Sequence, residues 1–435
     1  MTPAARISAA IEVLQDIVER RRPAADSLKD WGLSRRFAGS KDRAAIASLV
    51  YDALRRKASS SYAMASETPR ALVLGMLAGL RGMGVAEIAE LCSGENHAPQ
   101  PLSDDETALL TAFSVEGAPD WVQADVPEWL WPSFRAGLGE AAIAEGEALA
   151  ARAPIDLRVN RLKAGRDAVL RDLAHLQPEP APWSPDALRF QPGHDGRGPS
   201  LQTEPGFFAG AFEVQDEGSQ LVTLLAGAKP GQTVIDLCAG AGGKTLALAA
   251  LMADRGSLYA TDLDSRRLAP LHDRLARSGA GIVEVRIPRS RGHEPFADIA
   301  GQVDLVLVDA PCTGSGTWRR NPDAKWRVRP GALAERIKDQ AEVLARAGRL
   351  VKPGGRIAYI TCSVLPEEND EAISAFLGKH PGFSVLAPID VLKGAESDFS
   401  LLARFGTAHG LQLSPRRTGT DGFYLACLRR GTKSL

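Results

Sequence analysis

Residues Val234-Ile-Asp-Leu-Cys-Ala-Gly-Ala-Gly-Gly-Lys-Thr245 constrain this chain more than any other stretch. A β-branched apolar run ends in Asp236, glycines follow at 240, 242 and 243, and Lys244-Thr-Leu-Ala-Leu-Ala-Ala-Leu251 has the composition of a helix. Strand, tight turn and helix in that order predict a βα unit of a parallel sheet. Its ligand site lies beyond the carboxyl end of the strand, where backbone without side chains can approach a ligand closely. A phosphate-binding P-loop fails by one residue: counting back from Gly243-Lys244-Thr245, its first glycine falls at position 238, which is Cys238. A nucleoside-binding turn of the S-adenosylmethionine type needs instead an acid at the end of the next strand, to hold ribose hydroxyls. Ser257-Leu-Tyr-Ala-Thr-Asp262 supplies that acid about twenty residues on.

From residue 212 onward the pattern keeps alternating. A helix is expected over Ser265 to Ser278, a strand over Ile282 to Ile287, a nearly continuous apolar strand over Val303 to Asp309 and a helix over Leu333 to Leu350. A strand over Arg356 to Thr361 and a helix from Pro366 to Ile373, with proline in its first turn, come next. Gly422 to Leu428 is a last strand, able to close the sheet antiparallel. This alternation predicts a doubly wound α/β sheet. The first 145 residues or so read as helical instead: Ile7, Ile11, Leu14 and Val18 stripe one helix face, Ser40 is a candidate N-cap for a helix running to Arg55, and Arg70 to Leu80 is apolar enough for a buried central helix. Between these parts, Ile155 to Asn160 alternates like a strand, Arg166 to His175 reads as a helix, and 193–199 is a glycine-rich loop.

With 435 residues the chain has room for about two or three domains. A net charge of -1 gives no global basic field, so any nucleic-acid partner must be met by a local patch. The five cysteines, at 92, 238, 312, 362 and 427, form neither a disulfide framework nor a metal-ligand spacing, and no metal is expected. Free thiols, no signal-peptide core and no membrane-length apolar window lead to the expectation of a cytoplasmic protein without a membrane partner. A self-contained site makes a monomer the simplest expectation.

Catalytic groups of an open parallel sheet are expected at its strand tips. Two tips carry thiols: Asp309-Ala-Pro-Cys312-Thr-Gly-Ser-Gly316 and Thr361-Cys362-Ser363. A lone cysteine is more often a small buried residue, and that reading is kept for Cys92, Cys238 and Cys427. Cys312 and Cys362 each follow an apolar strand and precede a turn, a place where a thiol meets a cleft and local donors can lower its pKa. Asp309 reads either as an ion-pairing or capping carboxylate or as part of a rigid catalytic loop; a magnesium-binding role is weakened by the missing P-loop. Beyond Cys312, residues Trp318 to Arg329 hold five basic residues and two tryptophans, a composition suited to phosphates and stacked bases, and the competing reading is a solvated loop anchored by its tryptophans. Arg286, Arg289 and Arg291 add positive charge nearby.

These motifs resemble the Sun-type RNA cytosine-5 methyltransferases. The resemblance rests on Asp236 to Lys244, Asp309 to Gly316 and Thr361 to Ser363, with further similarity at Val214 to Gln220 and Asp421 to Ala426, and it covers about 155–430. Phe37 to Ile46 and Leu49 to Arg55 resemble the NusB-like RNA-binding domain that precedes the catalytic part in the bacterial 16S ribosomal RNA member. The resemblance implies an all-α NusB-like domain over 1–150, a small α+β RNA-binding insert over 151–212 and a Rossmann-like S-adenosylmethionine-dependent methyltransferase domain over 213–435. It implies methyl transfer to cytosine C5 in RNA, with 16S ribosomal RNA the expected substrate.

Cytosine C5 is a poor nucleophile until a thiolate adds at C6, and the resemblance gives that role to Cys362. It gives Cys312 the part of assisting enzyme release, and Asp309 a hydrogen bond to cytosine N3, which requires a proton on or shared with that carboxyl. Cys238, Ala239, Gly240, Ala241, Gly242, Gly243, Lys244, Asp262 and Asp309 are the implied cofactor contacts. Arg319, Arg320, Lys325, Trp326 and Arg327 are the expected RNA contacts. One departure is visible: an acid that often follows the third strand and contacts the adenine amino group is missing from Val285-Arg-Ile-Pro-Arg-Ser290. Three alternatives stay open: a single-thiol chemistry at Cys312, as in DNA cytosine methyltransferases; a catalytically silent RNA-binding ribosome-assembly factor; and a nucleotide hydrolase.

Overall fold

The first helix, Pro3–Arg20, begins where the Thr2 hydroxyl accepts the Ala5 amide at 3.1 Å and proline fills the first turn. It buries Ile7, Ala10, Val13, Leu14 and Ile17, so its core face includes Ile7 and Leu14 of the expected stripe but is centred to one side of it, with Ile11 half-buried and Val18 exposed. A computed structural model of the chain describes residues 1–193, 198–290, 293–392 and 399–432. Positions 194–197 of the expected glycine-rich loop and Arg291 lie outside the described residues. The described chain divides into two units, Met1–Arg152 with Trp318–Arg329, and Ala153–Gly193 with 198–317 and Pro330 onward.

The first unit is helical. Pro69–Gly79 runs through its core with Leu72, Val73, Leu74, Met76 and Leu77 buried on every face, as its uniform apolarity predicts, and Thr68 caps it. The helix Ser40–Arg55 differs from expectation at its start: Gly39 occupies the cap position, and no side chain caps that end. A glycine there costs little, because an N-cap needs only an extended backbone. No described helix is long and apolar enough to cross a membrane.

The second unit holds two sheets. The smaller has strands β1 (Ile155–Val159), β2 (Glu179–Pro180), β3 (Ala187–Phe190) and β4 (Phe212–Val214) in the order β2-β3-β1-β4, all antiparallel. The larger contains β5 (Thr233–Asp236), β6 (Ser257–Ala260), β7 (Val283–Val285), β8 (Val303–Asp309), β9 (Val351–Thr361), β10 (Phe383–Leu386), β11 (Leu411–Gln412) and β12 (Tyr424–Arg430). Its order is β10-β12-β9-β8-β5-β6-β7, with β11 on β12. Strands β5 to β9 pair in parallel, while β12 runs antiparallel to β9. This is the expected doubly wound, Rossmann-like sheet.

Strand order reverses between β5 and β8, and the crevice at such a switch point is where these sheets bind ligands. The tips of β5, β8 and β9 put Asp236, Asp309 and Thr361 at one edge. The helix expected from Pro366 is broken: Pro366–Glu368 forms one 3₁₀ turn and the α-helix spans Asp370–Lys379. Asn369 interrupts the two with a non-helical backbone (φ -117°, ψ -104°), and its side chain is bound to Thr361 and Ser363.

Candidate active site

The two thiols meet. Cys312 Sγ lies 3.4 Å from Cys362 Sγ, the first reached through Ala310-Pro311 from the tip of β8 and the second directly following β9. The Ala310 amide still donates to Ile360 O at 2.8 Å, so the two strands stay zipped to the last residue before the proline. Beyond it the Gly316 amide donates to Cys362 O at 2.9 Å, closing the loop that carries Cys312 back over Cys362. The Cys312 thiol is pushed well above its ordinary value, first by its hydrogen bond to Cys362 and then by burial and the negative field of Cys362 and Glu368. A thiol raised in this way keeps its proton, and either sulfur can be the donor across the 3.4 Å contact.

Beside the thiols, Lys244 Nζ donates to Asp309 Oδ2 at 2.7 Å and lies 5.2 Å from the centre of the Phe423 ring. Burial alone would lower the Lys244 ammonium; the charge of Asp309, its hydrogen bond and the nearby Cys362 and Asp236 together raise it, so it stays charged. Asp236 sits beneath the turn, fully buried, with the Thr245 hydroxyl donating to its Oδ2 at 2.7 Å and its Oδ1 without a hydrogen-bond partner among the described residues. Burial pushes its pKa up to about 7 against the pull of Thr245, and the charges of Asp309 and Asp262 add to the rise. Cys238 is likewise raised, mainly by burial, which fits the inert role read for it.

The glycine turn takes the shape its sequence predicts. Gly240 and Gly242 have φ of 51° and 85°, and a Cβ on Gly242 would come 2.2 Å from Leu271 Cδ1. The Gly240 amide donates to Asp262 Oδ2 at 3.0 Å and the Asp264 amide to Oδ1 at 3.0 Å, which fixes the acid at the tip of β6. Next to it opens a cavity of about 530 Å³ whose walls include Leu237, Cys238, Asp262, Leu263, Pro311 and Val343. The cavity is also lined by Asp264, Asp339, Glu342 and four arginines, one of which, Arg267, pairs with Asp262 at 3.2 Å. A cleft of this size with apolar walls and a fixed acid suits a nucleoside, and Asp262 retains a lone pair for a ribose hydroxyl. The residues present thus fit S-adenosylmethionine. No residue of 285–290 lines this cavity. Arg286 is committed elsewhere, bonded to Glu284 at 2.7 Å and Asp298 at 2.9 Å and lying 4.3 Å from the Tyr259 ring centre.

The basic segment after the thiol loop is not laid open as the expected RNA contact. Arg319 and Lys325 are buried, and Lys325 Nζ donates to the carbonyls of Arg55 at 3.0 Å and Asp125 at 2.7 Å. The Trp326 indole donates to Leu54 O at 2.6 Å, and Trp318 stacks on Phe134 with ring centres 6.0 Å apart. Arg319 O accepts from Arg55 at 2.6 Å. The segment is thus a plug within the helical unit: the tryptophan anchors of the competing reading are there, but Arg319 and Lys325 are buried instead of solvated. Arg320 is half-buried, and Arg327 is exposed and paired with Asp323 at 3.1 Å.

Sequence reasoning missed three supports of the site. Glu368 binds the loop next to Cys312, Phe423 covers Lys244, and Arg158 on β1 donates to Gln215 Oε1 at 2.7 Å while its other end reaches Gly243 O at 3.5 Å. Only Phe423 carried a local signal, lying inside a segment that already matched the resemblance.

Comparison with known proteins agrees with this geometry. Residues 222–429 match the family described as 16S rRNA methyltransferase RsmB/F, and residues 126–195 match the ferredoxin-like domain of RsmF/B-like methyltransferases. The chain is 38% identical over 287 residues to ribosomal RNA small subunit methyltransferase B of Sodalis glossinidius, covering 65% of this chain and 60% of that protein. It is 34% identical over 330 residues to the protein of the same name in Cronobacter sakazakii, covering 74% and 69%. These matches span about three fifths to two thirds of the relatives' lengths. A solved methyltransferase homologue from Pyrococcus horikoshii superposes with a TM-score of 0.56 at 28% identity, covering 72% of this chain and 97% of that one. The fold is that of Rossmann-like S-adenosylmethionine-dependent methyltransferases, and the chain belongs to the 16S rRNA methyltransferase RsmB/F family.

Proposed function

We propose that this chain transfers a methyl group from S-adenosylmethionine to C5 of a cytosine in RNA, through a covalent adduct between Cys362 and C6. The family's description as 16S rRNA methyltransferases supports 16S ribosomal RNA as the substrate. The observation that carries the reading is the pair of thiols 3.4 Å apart at neighbouring strand tips, next to the Lys244–Asp309 pair.

Methyl transfer to C5 needs an electron-rich ring, and a thiolate at C6 makes one. Cys362 forms the Sγ–C6 bond, and the electron pair of the C5–C6 double bond becomes available at C5. Lys244 and Asp309 share a proton across their 2.7 Å hydrogen bond, and that shared proton faces the charge that builds on N3 and O2. Bound S-adenosylmethionine supplies the electrophilic methyl group. A water molecule takes the C5 proton as base, the C5–H electron pair re-forms the C5–C6 double bond, and the Sγ–C6 bond breaks with its electrons returning to Cys362 as thiolate. Cys312, which keeps its proton, stabilises the departing thiolate by hydrogen bonding. A base must be out of the stack to reach these groups, so single-stranded or splayed RNA is the proposed form of the substrate. Of the basic segment, Arg320 and Arg327 remain as proposed RNA contacts.

Covalent trapping tests the reading. Wild type, Cys312→Ala and Cys362→Ala are incubated with ribosomal RNA and S-adenosylmethionine and resolved under denaturing conditions. A protein–RNA band that builds up only in Cys312→Ala is the expected result. A band in Cys362→Ala instead would reverse the two roles, and no band in any variant would favour an RNA-binding protein without this chemistry.

A further inference from the structure

Two consecutive residues hold the loops on which the thiols sit. Glu368 is fully buried at the end of the 3₁₀ turn. Its Oε1 accepts the Thr313 amide at 2.8 Å and its Oε2 accepts the Thr313 hydroxyl at 2.6 Å. Gln340 Nε2 donates to the same Oε1 at 3.1 Å and to Pro311 O at 2.9 Å, so Cys312 is bracketed on both sides by one network. Asn369 does the corresponding work on the other loop. Its Oδ1 accepts the Thr361 hydroxyl at 2.6 Å and its Nδ2 donates to Ser363 O at 3.0 Å, which brackets Cys362. The Tyr359 hydroxyl donates to Glu368 O at 2.8 Å and pins the turn that joins the two brackets.

We propose that Glu368 and Asn369 are positioning residues that hold the two thiols in register, Glu368 acting on Cys312 and Asn369 on Cys362. A buried carboxylate satisfied by three donors is a rigid element, and so is an amide that both donates and accepts across one loop. Because the two residues are adjacent in the chain, neither loop can shift without pulling on the other. The hydrogen bond to Cys362 and burial are what chiefly raise the Cys312 thiol, and the charge of Glu368 adds to that rise. The catalytic consequence rests on the reading that Cys362 adds to the base and Cys312 assists release. Loosening Cys312 then leaves the adduct standing, whereas loosening Cys362 prevents it from forming.

Thiol register can be read without any catalysis. The full chain is treated with glutathione disulfide, which is reduced to two glutathiones as Cys312 and Cys362 join, and the linked peptide is quantified by mass spectrometry. Glu368→Ala and Asn369→Ala are each expected to slow that linkage at least ~10-fold through lost proximity, while Glu368→Gln, which keeps an acceptor for the Thr313 amide, stays within about 3-fold of wild type. Thr313→Val deletes only the hydroxyl contact and gives an intermediate rate; it carries the test should Glu368→Ala fail to fold. Linkage as fast as wild type in the folded variants would overturn the proposal. In the RNA trapping experiment, Glu368→Ala accumulates the denaturant-resistant band and Asn369→Ala loses both band and methylation. Altered linkage with no band in any variant, Cys312→Ala included, would sink the catalytic reading and leave the clamp standing. Unaltered linkage with a Cys312→Ala band would do the reverse.

Discussion

Lys244 and Asp309 share a 2.7 Å ion pair whose two ends differ in burial: the lysine side chain is 9% exposed and the aspartate 33%. That asymmetry sets what each deletion costs. Asp309→Ala strands a buried ammonium and is expected to destabilise by about 3 kcal/mol. Lys244→Met leaves a carboxylate that water can reach, for about 1 to 2 kcal/mol. Both variants should lose methyl transfer, so the comparison is made by denaturant unfolding without substrate. Equal costs, or a larger cost for Lys244→Met, would contradict the assignment of the lysine as the desolvated partner.

Gly242 and Gly231 offer a controlled pair. Both have φ of 85°, but a Cβ at Gly242 meets Leu271 Cδ1 at 2.2 Å while at Gly231 nothing lies within 4 Å. Gly231→Ala should cost only the backbone term, about 1 to 2 kcal/mol. Gly242→Ala adds overpacking of about 1 to 3 kcal/mol and shifts the turn that follows Leu237 and Cys238 of the cavity wall. Calorimetric titration with S-adenosylmethionine should therefore show at least ~10-fold weaker binding for Gly242→Ala and unchanged binding for Gly231→Ala. Equal affinities would remove the turn from the cofactor site.

The turn and the strand tips were legible in the sequence because they are local. An apolar run that stops at an acid, glycines where the backbone turns left-handed, and a thiol directly after a strand need no knowledge of what packs against them. The plug at 318–329 was not legible: the same basic and aromatic residues serve an open nucleic-acid surface or a buried anchor, and only the distant carbonyls of Leu54, Arg55 and Asp125 decide between the two. Glu368 was hidden for a related reason. Pro366 followed by acids reads as a helix start, and the break at Asn369 accompanies side-chain bonds to Thr361, Ser363 and Gln412, partners that the local sequence does not reveal. Helix faces fell between these cases, since Ile11 and Val18 have the right spacing but the edge of the buried arc passes inside them.

Lys325 makes the plug sensitive to pH. Burial, against the field of Asp125, lowers its pKa from 10.5 to about 7. Between those two values the unfolded chain binds a proton that the folded chain does not, so stability rises with pH from about 7 toward 10 and is flat below. Lys325→Met abolishes that slope. Denaturant unfolding at pH 7, 8 and 9 should show wild type gaining on the variant by up to about 1.4 kcal/mol per pH unit. Parallel curves for the two proteins would mean that the ammonium stays charged inside the helical unit.

Asp236 should act in the opposite sense and in a lower window. Its folded pKa of about 7 stands above the ordinary 3.8, chiefly through burial, so the folded chain holds a proton that the unfolded chain has released between those values. Stability contributed at this site is therefore lost as pH rises from about 4 to 7 and stays level above that range. Asp236→Asn cannot ionise and keeps a carbonyl oxygen for the Thr245 hydroxyl, now bonded to Asp236 Oδ2 at 2.7 Å. The variant should be indistinguishable from wild type in stability near pH 4, then gain on it by up to about 1.4 kcal/mol per unit, with a constant gap at pH 8 and 9. The measurement is made without cofactor, so that only the buried carboxyl and its neighbours differ. A gap that is already full at pH 4, or that keeps growing above pH 8, would place the titrating group elsewhere. The expected profile would establish that the acid beneath the glycine turn enters the folded state protonated, as its burial predicts.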